Sequence, residues 1–214
     1  MSASGLRYDR YGPDGEWMMR IGPEGPAVLF VPPLFEEMNR TRAFMAATMR
    51  ALAAAGYGSI LPDLPGTGES ERDLSGRSWD DWRQAVAGLG RVSFATVAVR
   101  GGCLLDDACH LPAWRLAPVD GASLVRDLER SAMVAGGGSA GYDPSPGLIE
   151  ALRAARPSAT ASIRTVRLSS DRGEADLKLD GPPLWRRSEP QTSSELSELI
   201  ARDIAEWIRR CAVS

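Results

Sequence analysis

The sequence holds one histidine, His110, and one lysine, Lys178. Each scarcity removes a mechanism: a histidine-lined metal site cannot be assembled from a single imidazole, and a Schiff-base route would rest on Lys178 alone. Cysteine is nearly as scarce. Cys103, Cys109 and Cys211 are odd in number and no two stand at CxxC spacing, which speaks against both a disulfide framework and a zinc site and leaves free thiols in a reducing compartment as the expectation. No apolar run approaches the length of a membrane span, and the opening Met-Ser-Ala-Ser-Gly has neither the basic nor the apolar stretch of a signal peptide, so a cytoplasmic location is expected. A surplus of one charge is missing too. The net charge is −3 with acids and bases interspersed, and without a basic stripe nucleic acid is not an expected partner. No cofactor is expected.

What is present suffices for a core: 214 residues, 43% of them hydrophobic, with no compositional break to mark a linker, so a single domain over 1–214 is expected. Trp17 to Ile21 reads as a short strand before the Gly22-Pro-Glu-Gly-Pro26 turn, a predicted edge hairpin. Ala27 to Val31 is a continuous apolar run, the pattern of a strand covered on both faces in a parallel sheet, and Pro32-Pro33 ends it. Phe44, Met45, Thr48, Leu52 and Ala55 recur at helical spacing over 39–55, with Gly56 as the stop. A strand over 58–63 follows, then the glycine loop 64–70. Ser78-Trp-Asp-Asp81 reads as a capping box opening a helix with Trp79, Trp82, Val86 and Leu89 on one face. Strands are predicted over 94–99, 114–119, 162–168 and 175–179, and helices near 121–134 and 147–155. The arginines of the 162–168 strand are expected to face outward. Thr192 and Glu195 suggest a capping box for the last helix, whose stripe is Leu196, Leu199, Ile200, Ile204, Trp207, Ile208 and Cys211. Alternation of strand and helix predicts an open, mostly parallel sheet with helices on both faces. The stretch between 119 and 162 leaves room for no more than a small lid.

Phe94 to Cys109 has the shape of a nucleophile elbow: a buried strand, a tight turn at Gly101-Gly102 and a predicted helix. Its tip is Arg100. A guanidinium stays protonated at physiological pH and has no lone pair to attack with, so it cannot serve as the nucleophile.

Pro32-Pro-Leu-Phe-Glu-Glu-Met-Asn-Arg40, Leu52-Ala-Ala-Ala-Gly-Tyr-Gly58, Leu61-Pro-Asp-Leu-Pro-Gly-Thr-Gly-Glu-Ser70 and Gly181-Pro-Pro-Leu-Trp185 resemble the α/β-hydrolase superfamily. More narrowly they resemble the serine aminopeptidase-like, exosortase A system-associated hydrolases encoded beside bacterial exopolysaccharide and protein-sorting genes. The resemblance implies an α/β-hydrolase fold with a minimal cap or none. It places an oxyanion-hole loop at Leu34 and Phe35, and a pocket bounded by Leu34, Phe35, Glu36, Glu37, Arg100 and Gly101, with Trp185 expected either to wall that pocket or to cover the core. Against the G-x-S-x-G pattern stands Ala98-Val-Arg-Gly-Gly102, which lacks both the first glycine and the serine. The catalytic histidine of the superfamily should lie within 186–192, where there is none. Asp171 holds about the place of a triad acid with no imidazole to orient, and His110, upstream of every candidate acid, reads as a helix C-terminal residue.

Three lesser signals compete. Gly137-Gly-Ser-Ala-Gly141 matches G-x-S-x-G by letter but lacks the preceding strand, so Ser139 is expected to be a loop serine. Cys103, just past the elbow, is a challenger nucleophile only if the thiol is exposed and its pKa depressed. Asp63 and Ser70 are expected to shape the glycine loop. Arg100 is expected within hydrogen-bond reach of Glu36 or Glu37, either as a structural ion pair or as a fork offered to a ligand carboxylate or phosphate. The functional expectation is a non-hydrolytic binding module, a pseudoenzyme for a ligand or protein partner. Its rivals are a hydrolase of esters, amides or thioesters using Glu36 or Glu37 as base, and a purely structural subunit.

Overall fold

The computed structural model describes residues 5–134, 141–159 and 162–211. Strands β1 (Arg7–Tyr11) and β2 (Glu16–Ile21) form an antiparallel hairpin. After them come β3 (Ala27–Val31), α1 (Glu36–Ala54), β4 (Ser59–Pro62), α2 (Trp79–Gly90), β5 (Ser93–Val99), β6 (Ala113–Leu116), α3 (Gly121–Val134), α4 (Pro146–Ala154), β7 (Ile163–Leu168), β8 (Leu177–Leu179) and α5 (Ser194–Cys211). The strands form one sheet in the order β1-β2-β4-β3-β5-β6-β7-β8, parallel from β4 to β8. β3 is buried along its whole length, as its unbroken apolar run requires of a strand with helices on both sides.

Helices cover both faces. On one, Phe44, Met49 and Leu52 of α1 meet Ile200, Ile204 and Trp207 of α5; on the other, Trp82 and Val86 of α2 pack with Leu124 of α3 and Leu148 of α4. The Ser78 capping box of α2 forms as expected, with the Ser78 hydroxyl accepting from the Asp81 N–H.

Several expectations are corrected. The edge hairpin turns at Gly12 and Gly15, both at positive φ, and not at Gly22–Pro26. Beyond that second turn the chain crosses to β3, on the far side of β4. The helix predicted over 39–55 begins at Glu36 and leaves Ala55 exposed beyond its end. The strand expected over 114–119 stops at Leu116, because Ala117 takes a left-handed turn at φ 47°. The elbow leads into two short 3-10 turns, Arg100–Leu104 and Asp106–Cys109, where an α-helix was expected. Arg115 on β6 draws the Asp106 carboxylate into the core with two bonds of 2.7 Å, and that inward pull acts at the first residue of the second turn. The β7 arginines are not outward-facing: Arg164 is bound at 2.8 and 2.7 Å to Asp203 of α5, and Arg167 bonds Asp171 and the Pro118 carbonyl. Helix α5 is capped by the Ser193 hydroxyl, which accepts from the Leu196 N–H, and not by Thr192 with Glu195.

Candidate functional site

Two loops at the carboxyl ends of neighbouring strands build the site. After β5 the chain turns sharply at Arg100, whose φ is 53°. Gly101 and Gly102 let that turn press against its surroundings. A Cβ on Gly102 would run into the Val31 carbonyl oxygen and lie 2.6 Å from that of Pro32; one on Gly101 would stand 2.6 Å from Leu124 Cδ1 and 3.0 Å from Leu34 Cγ. After β3, Pro32-Pro33 stops the strand and Phe35, at φ 55°, swings the chain into α1. Glu36 and Glu37 therefore occupy the first turn of α1, where carboxylates are favoured by the helix dipole.

Glu37 is the partner of Arg100. Arg100 Nε donates to Glu37 Oε1 at 3.1 Å and Oε2 at 3.2 Å, Nη2 donates to Oε1 at 2.9 Å, and Nη1 reaches the Ala117 carbonyl at 3.4 Å. The two side chains are only 10% and 15% exposed. The Trp185 ring lies 5.2 Å from the guanidinium carbon, within cation–π range. Glu36 does not reach Arg100; it sits 3.8 Å from Arg40, one turn along α1.

A cleft of ≈ 430 Å³ opens in front of this pair. Leu34, Phe35, Glu36, Glu37, Arg100 and Trp185 all line it; Gly101 does not, being pressed between Leu34 and Leu124. Sequence reasoning missed the opposite wall, formed by Leu124, Asp127, Leu128, Arg130 and Ser131 of α3, together with Arg40 and Arg186 at the rim. The sequence predicts a helix near 121–134, but not that it overhangs the elbow. Phe35 is fixed by Tyr142 at 5.5 Å and Trp82 at 5.9 Å, so the floor of the cleft is tied to the α2 face of the core.

The remaining candidates fall elsewhere. Cys103 is buried with its thiol on the Ala98 carbonyl at 3.4 Å, and burial pushes that thiol well above its ordinary pKa, which is the reverse of an activated nucleophile. His110 ends the second 3-10 turn in a left-handed conformation and is exposed. Burial alone would raise Asp171, but Arg167 at 2.8 Å and the Gly173 N–H hold it below the usual carboxylate range. Lys178 donates to the Asp171 carbonyl from the exposed side of β8. Asp63 is fully buried, bound by Arg42 and the Glu69 N–H, and Ser70 accepts from the Gly66 N–H, so both shape the glycine loop. Ser139 lies outside the described residues. Among the described residues no cluster of His, Cys, Asp or Glu could hold a metal ion, and no helix is long and apolar enough to cross a membrane.

Chemically, this elbow presents a fixed cation already bidentate to a carboxylate. At its tip, Arg100 has no lone pair with which to attack a carbonyl.

No protein-family model matches the sequence, and no curated protein does. Solved structures do. Alpha/beta hydrolase domain-containing protein 10 from mouse aligns over 97% of this chain and 99% of its own, with 13% identity and a TM-score of 0.63. A mutant of a potato epoxide hydrolase aligns over 96% and 100%, with 13% identity and a TM-score of 0.61. The bottromycin epimerase, solved with bottromycin A2, aligns over 96% and 99%, with 15% identity and a TM-score of 0.53. With its parallel sheet, two helical layers and strand-to-turn elbow, the chain has the α/β-hydrolase fold.

Proposed function

We propose that this protein is a non-hydrolytic member of its fold, a binding module that takes a ligand or a partner segment in the cleft before Arg100. The observation that carries the reading is the bidentate Arg100–Glu37 pair at the elbow, where an acyl-transfer enzyme would need a free nucleophile. Both Glu37 oxygens are spent on the guanidinium, which leaves the carboxylate ill-suited to accept a proton from water or a hydroxyl. The cleft lies within the size range of small-molecule sites and combines an apolar floor at Leu34 and Phe35 with charged walls. A structural neighbour named as an epimerase supports the use of this scaffold for work other than hydrolysis. The motif resemblance favours a bacterial exopolysaccharide or protein-sorting (exosortase) setting.

One feature favours a second reading. Glu36 is held only loosely by Arg40, at 3.8 Å, and a hydrolase of esters, amides or thioesters would use it as general base. Turnover of p-nitrophenyl acetate and butyrate decides between the two. Release at the buffer rate is expected. A burst, or steady turnover lost in Glu36→Gln, would overturn the binding reading.

A further inference from the structure

A second cavity of ≈ 320 Å³ lies beside the first, and Arg100, Trp185 and Arg186 line both. Its other wall comes from the loop after β7, with Ser170, Asp171 and Arg172. We infer that this cavity is a site for the oxyanion head of a small soluble ligand, a phosphate monoester being the chemistry that fits it.

The argument is one of charge and shape. Three guanidiniums, Arg100, Arg172 and Arg186, line a cavity with a single carboxylate, Asp171. Arg100 is neutralised by Glu37, and Asp171 by Arg167 at 2.8 Å. That leaves Arg172 and Arg186, both exposed, with no ion-pair partner among the described residues. They come from separate segments, the β7 loop and the 3-10 turn Leu184–Arg186, so the fold converges two like charges on one cavity without supplying a counter-charge. A dianion removes that repulsion, and the planar fork of arginine matches phosphate oxygens in pairs. The Ser170 hydroxyl adds a donor to the same cavity, while Leu168, Pro183 and Trp185 give the remainder of a small organic ligand an apolar wall.

This site goes beyond the cleft reading and does not depend on it, because a protein that hydrolysed esters would still bind phosphate here. Isothermal titration of the full chain with inorganic phosphate and with phenyl phosphate, against chloride at matched ionic strength, tests it. Saturable binding is expected, tighter for phenyl phosphate, and weakened at least about tenfold in Arg172→Gln/Arg186→Gln. The charge-matched control Arg202→Gln/Arg209→Gln, on the exposed face of α5, is expected to bind as the parent does. No saturable binding beyond chloride, an undiminished affinity in the first variant, or an equal loss in the control would each overturn the proposal.

Discussion

Arg100 sits at φ 53° and Phe35 at φ 55°, two left-handed side-chain-bearing residues lining one cleft. Such conformations cost of order 1–3 kcal/mol each and persist only where the surroundings over-determine them. The Arg100–Glu37 pair, closed by the Ala117 carbonyl and the Trp185 ring, is what holds the elbow in that state. Cutting one partner strands the other charge in a largely desolvated place, so Arg100→Ala is expected to cost about 3 kcal/mol in denaturant unfolding. Arg100→Met/Glu37→Leu should lose less than either single change, since neither charge is then left unpaired. A wild-type midpoint for Arg100→Ala would show that the pair carries no stability. Gly102→Ala must move the ends of β3, and about 2–3 kcal/mol of destabilisation from overpacking is expected by thermal melting. The chain itself left Glu36 and Glu37 open as partners, because adjacent helical residues differ by about 100° in direction. Only the entry angle set by Phe35 decides that Glu37 faces the elbow and Glu36 faces Arg40.

Helix α5 is locked to the sheet through one carboxylate. Asp203 accepts from Trp114 Nε1–H of β6 at 2.8 Å and from Arg164 of β7 at 2.8 and 2.7 Å. Burial alone would raise its pKa, but the Arg164 and Trp114 hydrogen bonds outweigh it and hold the group below the usual carboxylate range. A folded value below the unfolded one means that the stabilisation is fully present above the unfolded pKa and is lost as pH falls through the folded one. Asp203→Asn is therefore expected to cost about 2 kcal/mol at neutral pH, with the gap from wild type closing only as pH falls below the ordinary carboxylate range. A gap unchanged with pH would contradict this assignment. None of it was visible in the sequence, where Arg164 reads as an outward residue of an alternating strand. The elements buried on both faces were legible: β3, β4 and β5 follow directly from their apolar runs, and α2 from its cap and its tryptophans. Those that escaped depend on distant partners. β1 reads as polar because much of it is exposed at the sheet edge, and the elbow helix gave way to 3-10 turns through Arg115, a residue on the next strand.

The sheet order brings the ends of β3, β5, β6 and β7 to one edge, and both cavities are lined from there, by the loops and helices that follow these strands, by Leu168 at the end of β7 and by the Pro183–Arg186 segment after β8. This is where open α/β sheets bind ligands, because parallel strands all deliver their following loops to the same side. The strand pattern alone made that edge predictable, whereas the facing of the Leu34–Glu37 loop and the elbow came from motif resemblance. The overhang of α3 came from neither. In the reading proposed here, the tip of the elbow is occupied by a cation, Arg100, already neutralised by Glu37. The most direct measurement is intact-mass analysis after incubation with a serine-directed fluorophosphonate, on the parent and on Arg100→Ser. No adduct is predicted on either, since a serine at the elbow would have no histidine to take its proton: the single one, His110, precedes the start of β6, at the opposite end of the parallel strands from Arg100. A stoichiometric adduct on the parent, or one on Arg100→Ser at the introduced hydroxyl, would contradict the account.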